Sequence, residues 1–131
     1  MKTGSGIINV GHGRRIMMMK SFDYLTGQER TAVQEATDQL KSAFPVNHVV
    51  LFGSKARGDA DEESDLDLLV LTSREISWAE RKKIHEAVFK IELAYDVVIS
   101  LMLVPEYDWY EGPFSVMPIY EEVQKDGLSI K

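Results

Sequence analysis

The stretch VVLFGSKARGDADEESDLDLLVL, residues 49–71, places two apolar runs on either side of a glycine-containing, acidic turn. Short apolar runs that are bounded by turn residues are typical of buried strands. The first run covers residues 49–52 and ends at Gly53, and the second covers residues 65–71 and alternates only in its first half. We therefore predict two strands joined by a loop, with the acidic residues 59–63 exposed to solvent.

Two capping boxes, in which a Ser or Thr caps a helix and a Glu follows three residues later, mark the helix starts on either side of this stretch. They are Thr26 with Glu29 and Ser77 with Glu80. The first helix is predicted to end at Pro45 and the second near residue 94. The remaining predicted elements are a strand over 95–104, an aromatic loop over 105–113, a helix from about 118 to 127 and a strand over 128–130. This order predicts an α/β (α+β) fold, a small mixed β-sheet with helices packed on it.

Length and composition limit the classes of function. The 131 residues suit one domain, which we predict over residues 21–131, after a poorly structured leader over residues 1–20. The net charge of −6 argues against extended nucleic-acid binding, which needs a basic face. The absence of cysteine excludes disulfides and thiolate sites, and no apolar run is long enough to cross a membrane. A cytoplasmic location is expected, and homo-oligomerisation is left open.

Asp65 and Asp67 are the first chemical signal. Residues i and i+2 of a strand face the same side, so both carboxylates project together. The two carboxylates repel each other, and each loses favourable hydration when it is buried. Burial is expected because the next residues of the strand, 68–71, are apolar. A hydrated strand edge is the alternative interpretation. Mg²⁺ prefers hard oxygen ligands, usually one or two carboxylates with phosphates and water, so the pair predicts a metal site.

Two further features are weaker when each is taken alone. Gly53 and Ser54 follow the first strand directly, where glycine lets main-chain N–H groups approach an anion and Ser54 adds a hydroxyl donor. Such a turn suits a triphosphate, although it is also common without one. Asp96 lies near the start of the third predicted strand and is a candidate third carboxylate, since opposed residues of adjacent strands lie ~4.5–5.5 Å apart at Cβ. A surface residue at a helix-to-strand boundary is the equal alternative.

The motifs GSKARG, SDLDLLV and YDVV together resemble the minimal nucleotidyltransferases of the DNA polymerase beta superfamily, over about residues 22–130. The resemblance implies that Gly53 and Ser54 bind the triphosphate of ATP. It implies that Arg57 steadies the phosphates, whereas Lys55 occupies a more variable position.

The same resemblance implies a catalytic and metal-binding triad. Asp65 and Asp67 would bind both of two Mg²⁺ ions, and Asp96 would bind one ion and help to deprotonate the acceptor hydroxyl. The implied activity is transfer of AMP from ATP to a partner protein, such as a helical HEPN-type toxin, by an antitoxin. The alternatives are a subunit that acts mainly by protein binding, and a nucleotidyltransferase for small molecules such as aminoglycosides.

Four aromatic residues and one histidine complete the sequence predictions. Trp78, in the first turn of its helix, is predicted to cover the core. Tyr107, Trp109 and Tyr110 are predicted to cover a core edge, with a partner surface as the minority interpretation. His85, which follows three basic residues, is predicted to lie on a solvated face.

Overall fold

The structure, a computed structural model, describes residues 8–9, 15–16, 22–61 and 63–131. Its elements in chain order are β1 (Ile8–Asn9), β2 (Arg15–Ile16), α1 (Gly27–Ala43), β3 (Val46–Phe52), α2 (Ser54–Arg57), β4 (Leu66–Thr72), α3 (Trp78–Tyr95), β5 (Ile99–Pro105), α4 (Glu106–Tyr110), a 3-10 turn (Pro113–Val116), α5 (Pro118–Asp126) and β6 (Leu128–Ile130). Strands β1 and β2 pair with each other as an antiparallel ladder. The rest of the predicted leader lies outside the described residues.

A four-stranded mixed sheet with the order β5-β4-β3-β6 forms the centre of the domain. Strand β3 pairs antiparallel with both β4 and β6, whereas β4 and β5 are parallel. Parallel neighbours need a crossover connection, which α3 provides. The β4–β5 register sets Leu66 beside Ile99 and Asp67 beside Ser100. The predicted fold class is confirmed.

Strand β4 is buried on both faces of the sheet. Leu66, Leu68 and Val70 belong to the larger core, which includes the apolar faces of α1 and α3. Leu69 and Leu71 face the other way and belong to a smaller core with residues of β5, α4 and α5. This two-sided burial explains why the second half of the strand is apolar at every position.

Both predicted capping boxes are present. The Thr26 hydroxyl accepts a hydrogen bond from the Glu29 N–H at 3.1 Å, and the Glu29 carboxylate accepts one from the Thr26 N–H at 2.9 Å. Ser77 and Glu80 make the same reciprocal pair at 3.1 and 2.9 Å. Each box satisfies N–H groups that a helix start leaves without an internal acceptor. In the part of the chain that the structure describes, no helix is long and apolar enough to cross a membrane.

Three predictions about the elements are wrong. The strand predicted over 95–104 begins only at Ile99, because α3 continues through Tyr95. The loop predicted over 105–113 contains helix α4, whose Trp109 is buried against Tyr120. Trp78 does not cover the core, since 78% of its surface is exposed.

Candidate active site

Gly53 forms the turn between β3 and α2. Its φ of +78° is a conformation that favours glycine. A Cβ added at Gly53 would overlap the Asp67 carboxylate, so the missing side chain also permits the close approach of the two strands. The N–H groups of Ala56 and Arg57 donate to the Gly53 carbonyl at 3.0 Å. The N–H groups of Ser54 and Lys55 precede them at the helix start and have no acceptor within α2.

The two aspartates of the DLD motif lie beside this turn. Asp65 is exposed and immediately precedes β4, whereas Asp67 lies within the strand and is partly buried. Burial raises the pKa of Asp67, as do the negative charges of Asp65 and Glu122, and the positive charge of Arg57 only partly opposes them. The carboxylate pair therefore carries negative charge that the protein does not fully neutralise.

Arg57 connects the turn to the last helix. Its Nε donates to Asp59 at 3.1 Å and its Nη1 donates to Glu122, on α5, at 3.2 Å. The hydrogen bond to Asp59 raises the pKa of the guanidinium, and the charges of Asp59 and Glu122 add to the effect. The sequence does not identify Glu122 as a site residue, because no motif links α5 to the GSKARG segment.

Lys55 has a role that its predicted variable position does not suggest. It is buried, and its Nζ lies 2.6 Å from Glu29 Oε2, on α1. The other oxygen of Glu29 accepts the Thr26 N–H of the capping box. Burial acts to raise the pKa of Glu29, but the hydrogen bonds from Lys55 and Thr26 and the Lys55 charge outweigh it, so the pKa is lowered. One carboxylate thus connects the start of α1 to the glycine-serine turn.

Asp96 does not lie on a strand. It is the C-terminal cap of α3, has a left-handed φ of 56°, and is exposed. It lines a groove with Glu29 and Glu63, next to the larger core, whereas Asp67 faces the smaller core. The prediction that Asp96 lies on a strand next to Asp67 is therefore wrong, and the residue beside Asp67 on β5 is Ser100.

Across residues 22–61 and 63–131, no group of three or more His, Asp or Glu side chains could hold a metal ion. The structure brings Asp65 and Asp67 together with Gly53 and Arg57, whereas Asp96 lines a groove that also contains Ser64 and Leu66, the neighbours of Asp65. Magnesium usually takes one or two protein carboxylates and completes its shell with phosphates and water. The incompletely neutralised aspartate pair fits a cation bound in this way, with most of the remaining ligands supplied by substrate.

Comparison with known sequences identifies the family. A model described as "Nucleotidyltransferase domain" matches residues 33–126. Two relatives from Methanocaldococcus jannaschii are "Putative protein adenylyltransferase MJ0604", 34% identical over 80 residues, and "Putative protein adenylyltransferase MJ0141", 46% identical over 55 residues. The first match covers 60% of this chain and 75% of the relative, and the second covers 42% of this chain and 56% of the relative.

Solved structures share the fold. A "putative minimal nucleotidyltransferase" has a TM-score of 0.51 at 27% identity, covering 76% of this chain and 90% of the other. A Sulfolobus solfataricus protein described as a "putative nucleotidyltransferase" has a TM-score of 0.52 at 21% identity, covering 86% and 89%. A chain of a toxin-antitoxin with AMP-PNP has a TM-score of 0.53 at 17% identity, covering 79% and 72%.

The family match covers most of the chain and contains the whole turn and acidic pair. With its mixed sheet, its glycine-serine turn and its paired aspartates, this chain belongs to the nucleotidyltransferase domain family.

Proposed function

We propose that this protein transfers AMP from ATP, with Mg²⁺, to a hydroxyl of a partner protein. The observation that carries the proposal is the contact between the Gly53 turn and Asp67, which sets an anion-binding backbone against a pair of carboxylates. The resemblance to relatives named as protein adenylyltransferases supports AMP as the group transferred. ATP as the donor is also consistent with the predicted cytoplasmic location.

Each site residue has a distinct part in the proposed reaction. The turn at Gly53 and Ser54 holds the triphosphate through main-chain N–H groups and the Ser54 hydroxyl. Asp65 and Asp67 would hold Mg²⁺, which would neutralise phosphate charge and make the acceptor hydroxyl more acidic. Arg57 turns from its acidic neighbours toward the phosphates.

The transfer itself is one displacement at phosphorus. The acceptor oxygen forms a bond to the α-phosphorus, the bond between the α-phosphorus and the bridging oxygen breaks, and pyrophosphate leaves. The acceptor proton is released to solvent water. Because the protein does no covalent chemistry, most of the acceleration comes from position and charge.

The predicted roles of Asp96 and of a second Mg²⁺ stay separate proposals. Asp96 would have to reach the aspartate pair from the cap of α3, on the other side of β4. A second ion would need ligands beyond Asp65 and Asp67, and the substrate phosphates offer them. The proposed transfer depends on the aspartate pair and does not require either addition.

We further propose that the acceptor lies on a second protein, a helical HEPN-type toxin that this chain inactivates as an antitoxin. The site lies where β3 ends and β4 begins, and these are the two central strands of the four-stranded sheet. A structural neighbour assembled as a toxin-antitoxin supports this choice of partner.

The position of the transferred label tests the proposal. The purified protein is incubated with Mg²⁺ and the product of the adjacent gene, using ATP labelled at the α-phosphorus in one sample and at the γ-phosphorus in another. Adenylyl transfer labels the partner only from the α-labelled ATP, and the Asp65→Asn variant labels nothing. Label from γ-labelled ATP would indicate phosphoryl transfer and contradict the proposal.

A second readout separates transfer from binding. Mass spectrometry of the partner should show one added AMP on a hydroxyl side chain. A stable complex of the two proteins with no label under either condition would favour a subunit that works by binding alone.

A further inference from the structure

The outer surface of α3 carries apolar side chains that the fold leaves uncovered. Trp78, Phe89 and Leu93 expose 78%, 56% and 68% of their surfaces. At 100° per residue, these three lie on one side of the helix together with Lys82 and His85. We call these five residues the α3 stripe. Phe89 and Leu93 lie one turn apart, and Trp78 lies beyond Lys82 and His85 on the same side. Exposed apolar side chains grouped on one side of a helix mark an interaction surface.

The stripe lies apart from the candidate active site. The opposite side of α3, with Ile84, Val88 and Ile91, packs into the larger core. Asp67 faces the smaller core, across the sheet. A partner seated on the α3 stripe would therefore leave the acidic pair and its turn open.

The charges along the stripe are divided between its two halves. Arg81 and Lys82 lie in the first half, and Glu86 and Glu92 lie in the second. Lys82 and Glu86 border one edge of the stripe, whereas Arg81 and Glu92 border the other. Among the described residues, neither Arg81, Lys82 nor Glu86 forms an ion pair.

This arrangement can bring unlike charges of two copies close together at four places and like charges together at one. When two copies of α3 pack antiparallel about a twofold axis between His85 and Glu86, each edge of one helix faces the same edge of the other. Lys82 then lies within three residues, about 4.5 Å along the helix, of the position opposite the second copy's Glu86, and the two Glu86 side chains lie about 1.5 Å apart along the helix beside the axis. Arg81 faces the second copy's Glu92 in the same way, although Glu92 also accepts the N–H of Ile99. Trp78 meets the second copy's Leu93.

We propose that the α3 stripe is a homodimer interface, occupied by the α3 stripe of a second copy in antiparallel orientation. A twofold interface uses the same patch on both subunits, and here it forms four unlike pairs, Lys82 with Glu86 and Arg81 with Glu92, against one contact between the two Glu86 residues. Trp78 supplies the large aromatic contact that carries much of the energy at such interfaces. The two active sites stay open on the faces turned away from the interface.

Solution mass is the first test. Sedimentation equilibrium of the full chain should give twice the chain mass of 14.9 kDa in the micromolar range. The Trp78→Ala variant should weaken dimerisation by about thirtyfold or more, because a buried aromatic contact is lost on both sides. A monomeric wild-type protein across this range would overturn the proposal.

Charge reversal tests the orientation of the two helices. Lys82→Glu places like charges at both symmetry-related pairs and should weaken the dimer about tenfold or more. Adding Glu86→Lys to that variant should restore it. Lys83→Glu makes the same charge change away from the stripe and serves as the matched control. Loss of the dimer that the double variant does not recover would overturn the antiparallel arrangement.

The absence of cysteine permits a covalent test. His85→Cys lies next to the proposed axis and should form a disulfide between two chains under mild oxidation. Lys83→Cys, on the same helix, should not. Equal cross-linking of both variants would indicate random collision and contradict the proposed interface.

Discussion

Asp67 combines a functional role with a cost to stability. Its carboxylate is partly buried, is close to Asp65, and touches the space that a side chain at position 53 would need. Its raised pKa means that folding disfavours the charged form. An ionised carboxylate that destabilises the fold is typical of a functional site, and here its proposed function is to bind the metal ion of the metal–triphosphate complex.

Replacing Asp67 should therefore separate activity from stability. Asp67→Asn should reduce AMP transfer by a factor of about a hundred or more, since a principal metal ligand is lost. In the absence of Mg²⁺ it should raise the Tm at pH 7 by about 1–3 °C, because charge repulsion is relieved at a partly exposed site. Labelled-ATP assays and calorimetry measure the two effects.

The pH dependence of that gain follows from the direction of the pKa shift. The pKa of Asp67 is higher in the folded chain than its ordinary value of 3.8. The free energy of unfolding therefore decreases as the pH rises from 3.8 through the folded-state pKa. The advantage of Asp67→Asn should therefore disappear below pH 3.8. Glu111→Gln, an exposed acid distant from the pair, is the control and should change neither the Tm nor the turnover. A Tm advantage of Asp67→Asn that persisted at pH 3 would refute the electrostatic explanation.

Asp96 provides a second residue-scale comparison. Because Asp96 caps α3 and lines a different groove, Asp96→Asn should retain AMP transfer within about tenfold of the wild type. Turnover by Asp96→Asn and Asp67→Asn, measured side by side at saturating Mg²⁺, tests this expectation. Equal losses in the two variants would restore the sequence-based triad and require that Asp96 moves to the pair when substrate binds.

At the scale of elements, the Lys55–Glu29 ion pair joins α1 to the turn that is proposed to hold the triphosphate. Both side chains are largely buried, and their polar atoms are 2.6 Å apart. A buried ion pair is weak evidence for stability, but removing one partner leaves the other charge uncompensated. Lys55 is best described as a positioning residue, because it acts on the turn and on Glu29 from within the protein.

Removing the Lys55 charge should weaken nucleotide binding more than turnover. Lys55→Met should lower the free energy of unfolding by about 1–3 kcal/mol and raise the KM for ATP by about threefold to tenfold, with a smaller change in kcat. Denaturant titration and initial rates measure the two effects. Lys83→Met, on the exposed surface of α3, is the control.

A double-mutant cycle with Glu29→Gln shows whether the effect belongs to the pair. If Lys55 acts through Glu29, the two substitutions together should cost less than the sum of each alone. Additive losses would show that Lys55 stabilises the turn without Glu29.

The same elements show what sequence can and cannot predict. The capping boxes at Thr26 and Ser77 were predicted correctly, because both partners lie within one turn of helix. The end of α3 is not predicted correctly, because the β-branched residues after Tyr95 also favour a strand. Its end depends on distant contacts: the Tyr95 hydroxyl donates to Glu35, 60 residues away. The Lys55–Glu29 pair was missed for the same reason.

For the molecule as a whole, the central sheet separates the candidate active site from the α3 stripe. The smaller core lies on the face of Asp67, and the larger core supports α1 and α3 on the other face. The chain has a net charge of −6, and near the turn the acidic residues Asp59 and Glu122 both accept hydrogen bonds from Arg57. A nucleotide with its cation would compensate the local excess of negative charge at the aspartates and should stabilise the entire fold.

Thermal unfolding tests that last statement without a partner or any turnover. A ligand that binds only the folded chain raises its stability by about 2.7 kcal/mol at a hundred times its Kd. A nonhydrolysable ATP analogue with Mg²⁺ should therefore raise the wild-type Tm by several degrees, whereas the analogue with EDTA should not. Asp67→Asn should lose most of the rise, since the cation has lost a ligand. No rise in the wild type would remove the nucleotide site, and an equal rise in Asp67→Asn would show that nucleotide binds without the aspartate pair.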